Sequence, residues 1–350
     1  MLEVVCSPIS GGFFVSQLSI LTTVLEAREK APSVSKTFMD LYFGASGGGL
    51  ANILSSYFHK DKESILRVTQ FLDSDLFVKN WWKGKTSFID SKVISLFGKT
   101  FFQEGSGAGE LFETLERSQR RKDLELWFLT FNIDTDRPVI SCTCNRELSN
   151  FRDLSRENLE DHLCENVIFL ENNIQDIVKT ALASASIPVL KEGVEINGNK
   201  YVDGGVANTV PYCYFIDSIN TRHHQGKFTP PYHYFYILPH KTDVRSTEAT
   251  LFTKILKNVL TFNMISDKNN TLNHWLYLIG KHKKDLEFEV HENLKLYQLV
   301  EIFEKNHEKN YFCVFYTDET SVNITDFSGQ DVKEMFLRAS NSIHAEFYID

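Results

Sequence analysis

The chain carries little of what marks several common protein classes. No apolar run reaches the roughly 20 residues of a bilayer-crossing helix. The stretch 13–25 is broken by Ser16, Gln17, Ser19, Thr22 and Thr23. The amino terminus does not read as a secretory signal, because Glu3 stands where a basic segment belongs and no clean small-residue cleavage site follows. Cysteine is sparse: six residues, at 6, 142, 144, 164, 213 and 313, with no spacing that suggests a disulfide framework. These absences lead us to expect a cytoplasmic protein in a reducing compartment, peripheral to membranes at most. Positive charge is in deficit, with 37 Lys and Arg against 46 Asp and Glu and a net charge of −9, which argues against a dedicated nucleic-acid binder. Gly105-Ser106-Gly107-Ala108-Gly109 lacks the Lys-Ser/Thr ending of a phosphate-binding loop and reads as a flexible connection. Cys142 and Cys144 with His162 and Cys164 have the residue types of a metal cluster. Two cysteines two apart on a strand simply face the same side, so they read as core thiols. No metal and no cofactor is expected, and no internal repeat is visible.

Aromatic side chains are plentiful, 28 Phe and 13 Tyr, and at this length the chain can bury a large core. The most informative stretch is Phe43-Gly44-Ala45-Ser46-Gly47-Gly48-Gly49-Leu50. Gly44, Ser46 and Gly48 fit the G-x-S-x-G elbow, in which small neighbours let a strand and a helix approach while the serine takes a strained, exposed turn. The flanks agree with that reading. The segment 37–43 is short, apolar and aromatic like a buried strand, and Leu50, Ile53, Leu54, Tyr57 and Phe58 recur at helical spacing.

Along the chain, 2–6 reads as a first strand, 7–12 as a tight loop and 13–29 as a helix, which with the elbow makes two β-loop-α units and implies a parallel sheet covered by helices. Segments 124–133 and 139–143 form a hairpin about the turn Asp134-Thr135-Asp136-Arg137-Pro138. A short strand at 167–170 and a helix at 174–185, ended by Ile187-Pro188, follow. Asn197-Gly198 is the strongest hairpin signal and leads into Asp203-Gly204-Gly205. After a strand at 232–238 the tail reads as mainly helical, with one more strand at 311–316.

A serine hydroxyl is a poor nucleophile until a base takes its proton, and Asp203, at the end of an apolar strand with two glycines behind it, is the best candidate. Here the chain resembles the patatin-like phospholipases, lipid acyl hydrolases with a Ser-Asp dyad. Four blocks occur in family order: the elbow Gly44 to Gly48; Asn132-Ile133-Asp134-Thr135 through Val139; Ala183-Ser184-Ala185-Ser186-Ile187-Pro188; and Tyr201-Val202-Asp203-Gly204-Gly205-Val206, followed by Asn208 and Pro211. The resemblance spans about 1–240. It implies a three-layer α/β/α sandwich with a mainly parallel central sheet, a cap-like insertion at about 61–123, and a mainly helical extension, 241–350, packed on the core.

The resemblance also implies roles. Ser46 is the nucleophile and Asp203 the base, Gly44 and Gly48 shape the elbow, and Gly204 and Gly205 shape the turn that supports the dyad. The family's oxyanion hole is a glycine-rich loop after the first strand, which maps to Gly11 and Gly12, with fewer glycines than the family usually has. The implied substrate is a phospholipid or other lipid ester, cleaved through an acyl-enzyme without a metal. Aromatics at 77, 81, 82, 88 and 97 alternate with lysines at 79, 83, 85, 92 and 99, so 77–100 reads either as a membrane-contacting surface or as a cap with inward aromatics and solvated lysines. Two alternatives stay open at this point: an α/β-hydrolase-type esterase using a late histidine such as His233 or His240, and a catalytically weak patatin-like module that binds lipid or protein.

Overall fold

The computed structural model describes residues 1–10, 14–34, 39–58, 63, 124–143, 166–170, 174–186, 193–207, 212–241, 251–318 and 329–350. Five strands, β1 (Leu2–Ser7), β2 (Leu41–Ala45), β3 (Glu125–Asn132), β4 (Arg137–Cys142) and β5 (Asn166–Phe169), make one half of the sheet. The short β6 (Val194–Ile196) and β7 (Asn199–Asp203) form a hairpin at its edge. The other half holds β8 (Tyr232–Ile237), β9 (Glu287–Leu294), β10 (Tyr311–Thr317) and β11 (Ile343–Ile349). The order is β5-β4-β3-β2-β1-β8-β10-β11-β9, with β7 pairing β3 and β6 pairing β7, and the sheet does not close on itself. Its centre, β3-β2-β1-β8-β10, is parallel throughout. Antiparallel pairing is confined to β3-β4, β3-β7, β6-β7, β10-β11 and β11-β9.

Helices α1 (Phe14–Lys30), α2 (Gly47–Phe58), α3 (Ile174–Ser184), α4 (Tyr212–His224), α5 (Leu251–Ile279), α6 (Leu296–Asn306) and α7 (Gly329–Asn341) cover both faces. Alternation along β8 shows how. Trp275 of α5 donates to the carbonyl of Tyr232, and the Tyr236 hydroxyl donates to that of Met264, so α5 covers the face that carries the even-numbered tyrosines. Phe235 points the other way, meets Phe303 of α6 edge-on and lies under the Arg28 guanidinium of α1. Phe215 of α4 packs on Phe43 and Trp127, extending the first of these faces. Two helical layers around a mainly parallel sheet are the architecture expected from the sequence.

Because α1 lies between the sheet and helices α2, α6 and α7, it is buried on almost every side. Three of its buried hydroxyls are satisfied inside the fold: Thr22 and Thr23 donate to the carbonyls four residues back, and Ser19 donates to the carbonyl of Phe336 of α7. Glu3, the residue that argued against a signal sequence, is a core carboxylate. It pairs with Arg28 at 2.5 Å, and its Oε1 lies 3.2 Å from His233 Nδ1. Burial alone would raise the Glu3 pKa, but the Arg28 guanidinium and His233 together hold it below the usual carboxylate range.

Two expectations need correction. The elbow strand is β2 at Leu41–Ala45 instead of 37–43, of which 37 and 38 lie outside the described residues. Asp40 precedes the strand and its carboxylate accepts the Glu3 N–H, while Gly44 continues it by pairing with Ser7. The tail is not simply a helical extension packed on the core. Besides the expected β10, it supplies β9 and β11, and β10 pairs directly with β8, so the sheet continues unbroken into the last third of the chain. Strand β9 sits at the sheet edge and is largely exposed, which removes the apolar alternation that marks a half-buried strand. The expected cap insertion falls outside the described residues, apart from Glu63.

Candidate active site

Three elements converge at the carboxyl end of β2. Ser46 follows the strand directly and takes φ of 55°, the left-handed region that a serine occupies only under constraint. The constraint is steric. A Cβ on Gly44 would stand 2.6 Å from the Cα of Gly49, and one on Gly48 would stand 2.7 Å from the carbonyl oxygen of Pro8, so both positions require glycine. Strand, turn and helix are therefore pressed together as the elbow pattern predicts, and the helix starts immediately, at Gly47.

Asp203 reaches the same point from β7. Along one edge of β3, Leu129 pairs with Ala45 of β2 and the next residue, Thr130, pairs with Asp203. The end of β2 and the end of β7 thus occupy consecutive places on β3, which sets Ser46 beside Asp203 although they are far apart in sequence. The Gly205 N–H donates to Asp203 Oδ1 at 2.8 Å, and the Asp203 N–H donates to the carbonyl of Ser186 at 2.8 Å. At Gly204 a Cβ would come within 2.7 Å of the Leu129 carbonyl, so the turn behind the aspartate also needs glycine.

Both side chains are buried, at 1% exposure for Ser46 and 2% for Asp203. Burial pushes the Asp203 carboxyl from 3.8 up to about 6, opposed by the Ser46 hydroxyl and the Gly205 N–H. Ser46 is close enough to exert that pull, yet its Oγ closes no well-formed hydrogen bond with any described residue. The orphaned Oγ is the stricter geometric fact, and the two groups are best described as unengaged neighbours.

A third serine supports the elbow. Ser184, at the end of α3, accepts the Ser46 N–H at 3.0 Å and donates to the Leu129 carbonyl at 2.6 Å, so it fills the gap where β2 leaves β3. Its place in the Ala-Ser-x-x-x-Pro block was the available signal. Behind the elbow, Ser7 donates to Asn52 of α2 at 2.7 Å, and the Gln17 amide donates to the carbonyls of Pro8 and Ile237 at 3.0 and 2.8 Å. These bonds fix both sides of the loop between β1 and α1. Gly11 and Gly12, expected to form the oxyanion hole, lie outside the described residues, as does the segment 77–100.

Neither late histidine meets the serine. His233 pairs in register with Glu3, four residues before Ser7, and so lies about 13 Å back along the sheet from the strand end that carries the elbow. Its ring stacks on Tyr311, and its Nε2 lies 3.1 Å from the carbonyl of Lys309. His240 follows β8, two strands from β2, with Nδ1 2.8 Å from the carbonyl of Lys241. Of the four residues with metal-ligand side chains, Cys142 is buried and forms no disulfide, and Cys144, His162 and Cys164 lie outside the described residues.

Residues 33–216, more than half of the chain, match the family described as patatin-like phospholipase. The chain belongs to that family. Its elbow, Ser184 and Asp203 all fall within the matched segment, whereas β1, α5 and the strands of the tail lie beyond it. As a patatin-like phospholipase domain it belongs among the lipid acyl hydrolases. A search of curated proteins finds no match. Among the described residues, no helix of this patatin-like chain is long and apolar enough to cross a membrane.

Proposed function

We propose that the protein is a serine-dependent lipid acyl hydrolase of the phospholipase A type, working through a Ser46-Asp203 dyad and an acyl-enzyme. The observation that carries this reading is the meeting of a left-handed Ser46 with a buried Asp203 at consecutive places on β3. Ser46 Oγ attacks the ester carbonyl carbon while its proton passes to an Asp203 oxygen. Collapse of the tetrahedral adduct breaks the bond to the alcohol, which leaves with that proton. Water then gives a proton to Asp203 as its oxygen attacks the acyl carbon, and release of the fatty acid returns the proton to Ser46 Oγ.

A carboxyl with pKa of about 6 suits this work, being ionised at neutral pH yet far more basic than an ordinary aspartate. The loose Ser46-Asp203 geometry fits too, since catalytic hydrogen bonds tighten around bound substrate. The negative charge on the carbonyl oxygen needs backbone N–H donors. The loop with Gly11 and Gly12 is the candidate, because α1 begins right after it, at Phe14, and a helix amino terminus favours negative charge. The segment 77–100 is the candidate for contact with a lipid surface, and the cytoplasm is the compartment we favour.

Labelling with a fluorophosphonate probe tests the dyad. The native chain should label once, at Ser46. Ser46→Ala should abolish labelling and ester hydrolysis, and Asp203→Asn should lower hydrolysis by about 10³-fold or more. Labelling that survives in Ser46→Ala sinks the proposal.

A further inference from the structure

The loop that leaves β1 touches both halves of the proposed dyad. Its Pro8 carbonyl lies against the elbow, where a Cβ on Gly48 would stand 2.7 Å from the Pro8 oxygen. The next residue, Ile9, meets the turn behind the aspartate. A Cβ on Gly205 would stand 2.5 Å from Ile9 Cδ1, 3.2 Å from Ile9 Cγ1 and 3.1 Å from Asp203 Oδ1, so the end of the isoleucine and the carboxylate oxygen share one face of that glycine. Gln17, donating to the Pro8 carbonyl, holds the loop in place.

Ile9 is buried and also walls a cavity of about 20 Å³, together with Ala45, Gly204, Asn263 and Asp267. The cavity has room for roughly one water-sized group. Shortening Ile9 would add its volume to a space that has an amide and a carboxyl on its wall, and water enters a cavity that is both roomy and polar. Asp203 is sensitive to such a change because few groups act on it. Burial raises its pKa, and the Ser46 hydroxyl and the Gly205 N–H lower it. Strand β2 and helix α2 carry no charged residue. Among the described residues, the charged groups of β3, α3 and β7 are Glu125, Asp176, Lys179 and Lys200, and none of them acts on the Asp203 carboxyl. From α5, Asp267 is the titratable group on the cavity wall.

Resting on the Ser46-Asp203 reading, we infer that Ile9 is a positioning residue for the base: it seals the Asp203 carboxyl from water and so sets how readily that group takes the serine proton. Ile9 lies outside the family-matched segment, on a loop that packs against elbow and aspartate together.

The test follows the rate of Ser46 labelling by a neutral fluorophosphonate from about pH 4.5 to 8 in the full chain. In wild type the rate should fall to half its plateau near pH 6, where Asp203 loses its charge. Water beside the carboxylate favours the ionised form, so Ile9→Ala should move that midpoint down by about one pH unit and keep, at about pH 5, roughly fivefold more of its own plateau rate. Ile9→Thr, which keeps the branch and adds a hydroxyl, takes its place if the alanine variant does not fold, with a shift in the same direction. Ile9→Leu should hold the wild-type midpoint. A labelled Ala or Thr variant whose midpoint stays within about 0.3 unit of wild type overturns the inference and leaves the dyad standing, because a residue needed only for packing slows labelling alike at every pH. An equal shift in Ile9→Leu overturns it too. A wild type whose Ser46 never labels, or labels with no midpoint in this range, brings down both readings.

Discussion

The Ser184 hydroxyl accepts the backbone N–H of Ser46 at 3.0 Å and donates to the Leu129 carbonyl at 2.6 Å. A parallel strand pair that diverges leaves a donor and an acceptor facing each other across a widening gap, and one hydroxyl on a third element satisfies both. The left-handed turn at Ser46 is thus anchored at its nitrogen by α3, while its carbonyl accepts the Gly49 N–H at 3.0 Å. The strain at the serine is held from both sides.

Removing that hydroxyl should uncouple elbow and strand. Ser184→Ala leaves two buried backbone groups without partners, so unfolding in urea should show a loss of about 2–4 kcal/mol. The turn should relax as well, and fluorophosphonate labelling of the folded fraction should slow by about 10- to 100-fold. Normal labelling with lost stability would reduce Ser184 to a packing residue.

In its proposed role as base, the buried Asp203 carboxyl links activity to pH. With its pKa at about 6, the ionised base is lost as pH falls through that value, so kcat/KM should drop about tenfold per unit below 6 and level off above it. Stability runs the other way. The folded-state pKa exceeds the unfolded 3.8, so the favourable contribution of the protonated form is complete below 3.8 and is lost as pH rises through about 6. Asp203→Asn, which never ionises, should therefore be more stable than wild type at pH 8, by up to about 3 kcal/mol. Urea unfolding at pH 4 and pH 8 measures this, and equal gains at both would contradict it.

The elbow glycines give a sharper steric test. In Gly44→Ala the new methyl meets the Cα of Gly49 at 2.6 Å and the side chain of Asn52 at 2.9 Å, and the backbone contact cannot yield cheaply. A loss above about 2 kcal/mol is expected, together with a fall in labelling. Gly226→Ala is the control: its φ of 69° is strained for alanine but the methyl enters open space, so the cost should stay near 1 kcal/mol with labelling unchanged.

What the sequence made legible was local in origin. The strand preceding the elbow, the β3-β4 hairpin and the turn at Asn197-Gly198, where both residues take positive φ, each carry their pattern within a few residues. Ser46 and Asp203 were legible for the same reason, as each sits in a glycine-cramped turn. Ser184 was visible only as part of a block, because its role depends on where β2 parts from β3. Glu3 and Arg28 are 25 positions apart, and nothing local marks them as partners. Asp267 lies in a long helix with no motif around it, and only the fold brings it to a small cavity shared with Ala45, Leu129 and Gly204. In the tail, β9 exposes both faces and β11 buries both, so neither offers the alternation by which a half-buried strand is recognised.

The Glu3-Arg28 pair lets stability be separated from catalysis. Arg28 is buried, sits over Phe235 at 5.4 Å and pairs with Glu3 Oε1 at 2.5 Å, and His233 Nδ1 lies 3.2 Å from the same oxygen. Arg28→Met leaves Glu3 a buried charge facing only a histidine whose own pKa is lowered by burial, so the variant should lose about 3–5 kcal/mol. Arg28→Met with Glu3→Gln removes both charges and should recover much of that loss, even though it deletes two polar partners instead of one. Because Glu3 lies four residues before Ser7 on β1, at the far end from the elbow, Ser46 labelling per folded molecule should match wild type in both variants. A double variant no more stable than the single one would mean that geometry at the β1-β8 junction, and not an unpaired charge, governs the cost.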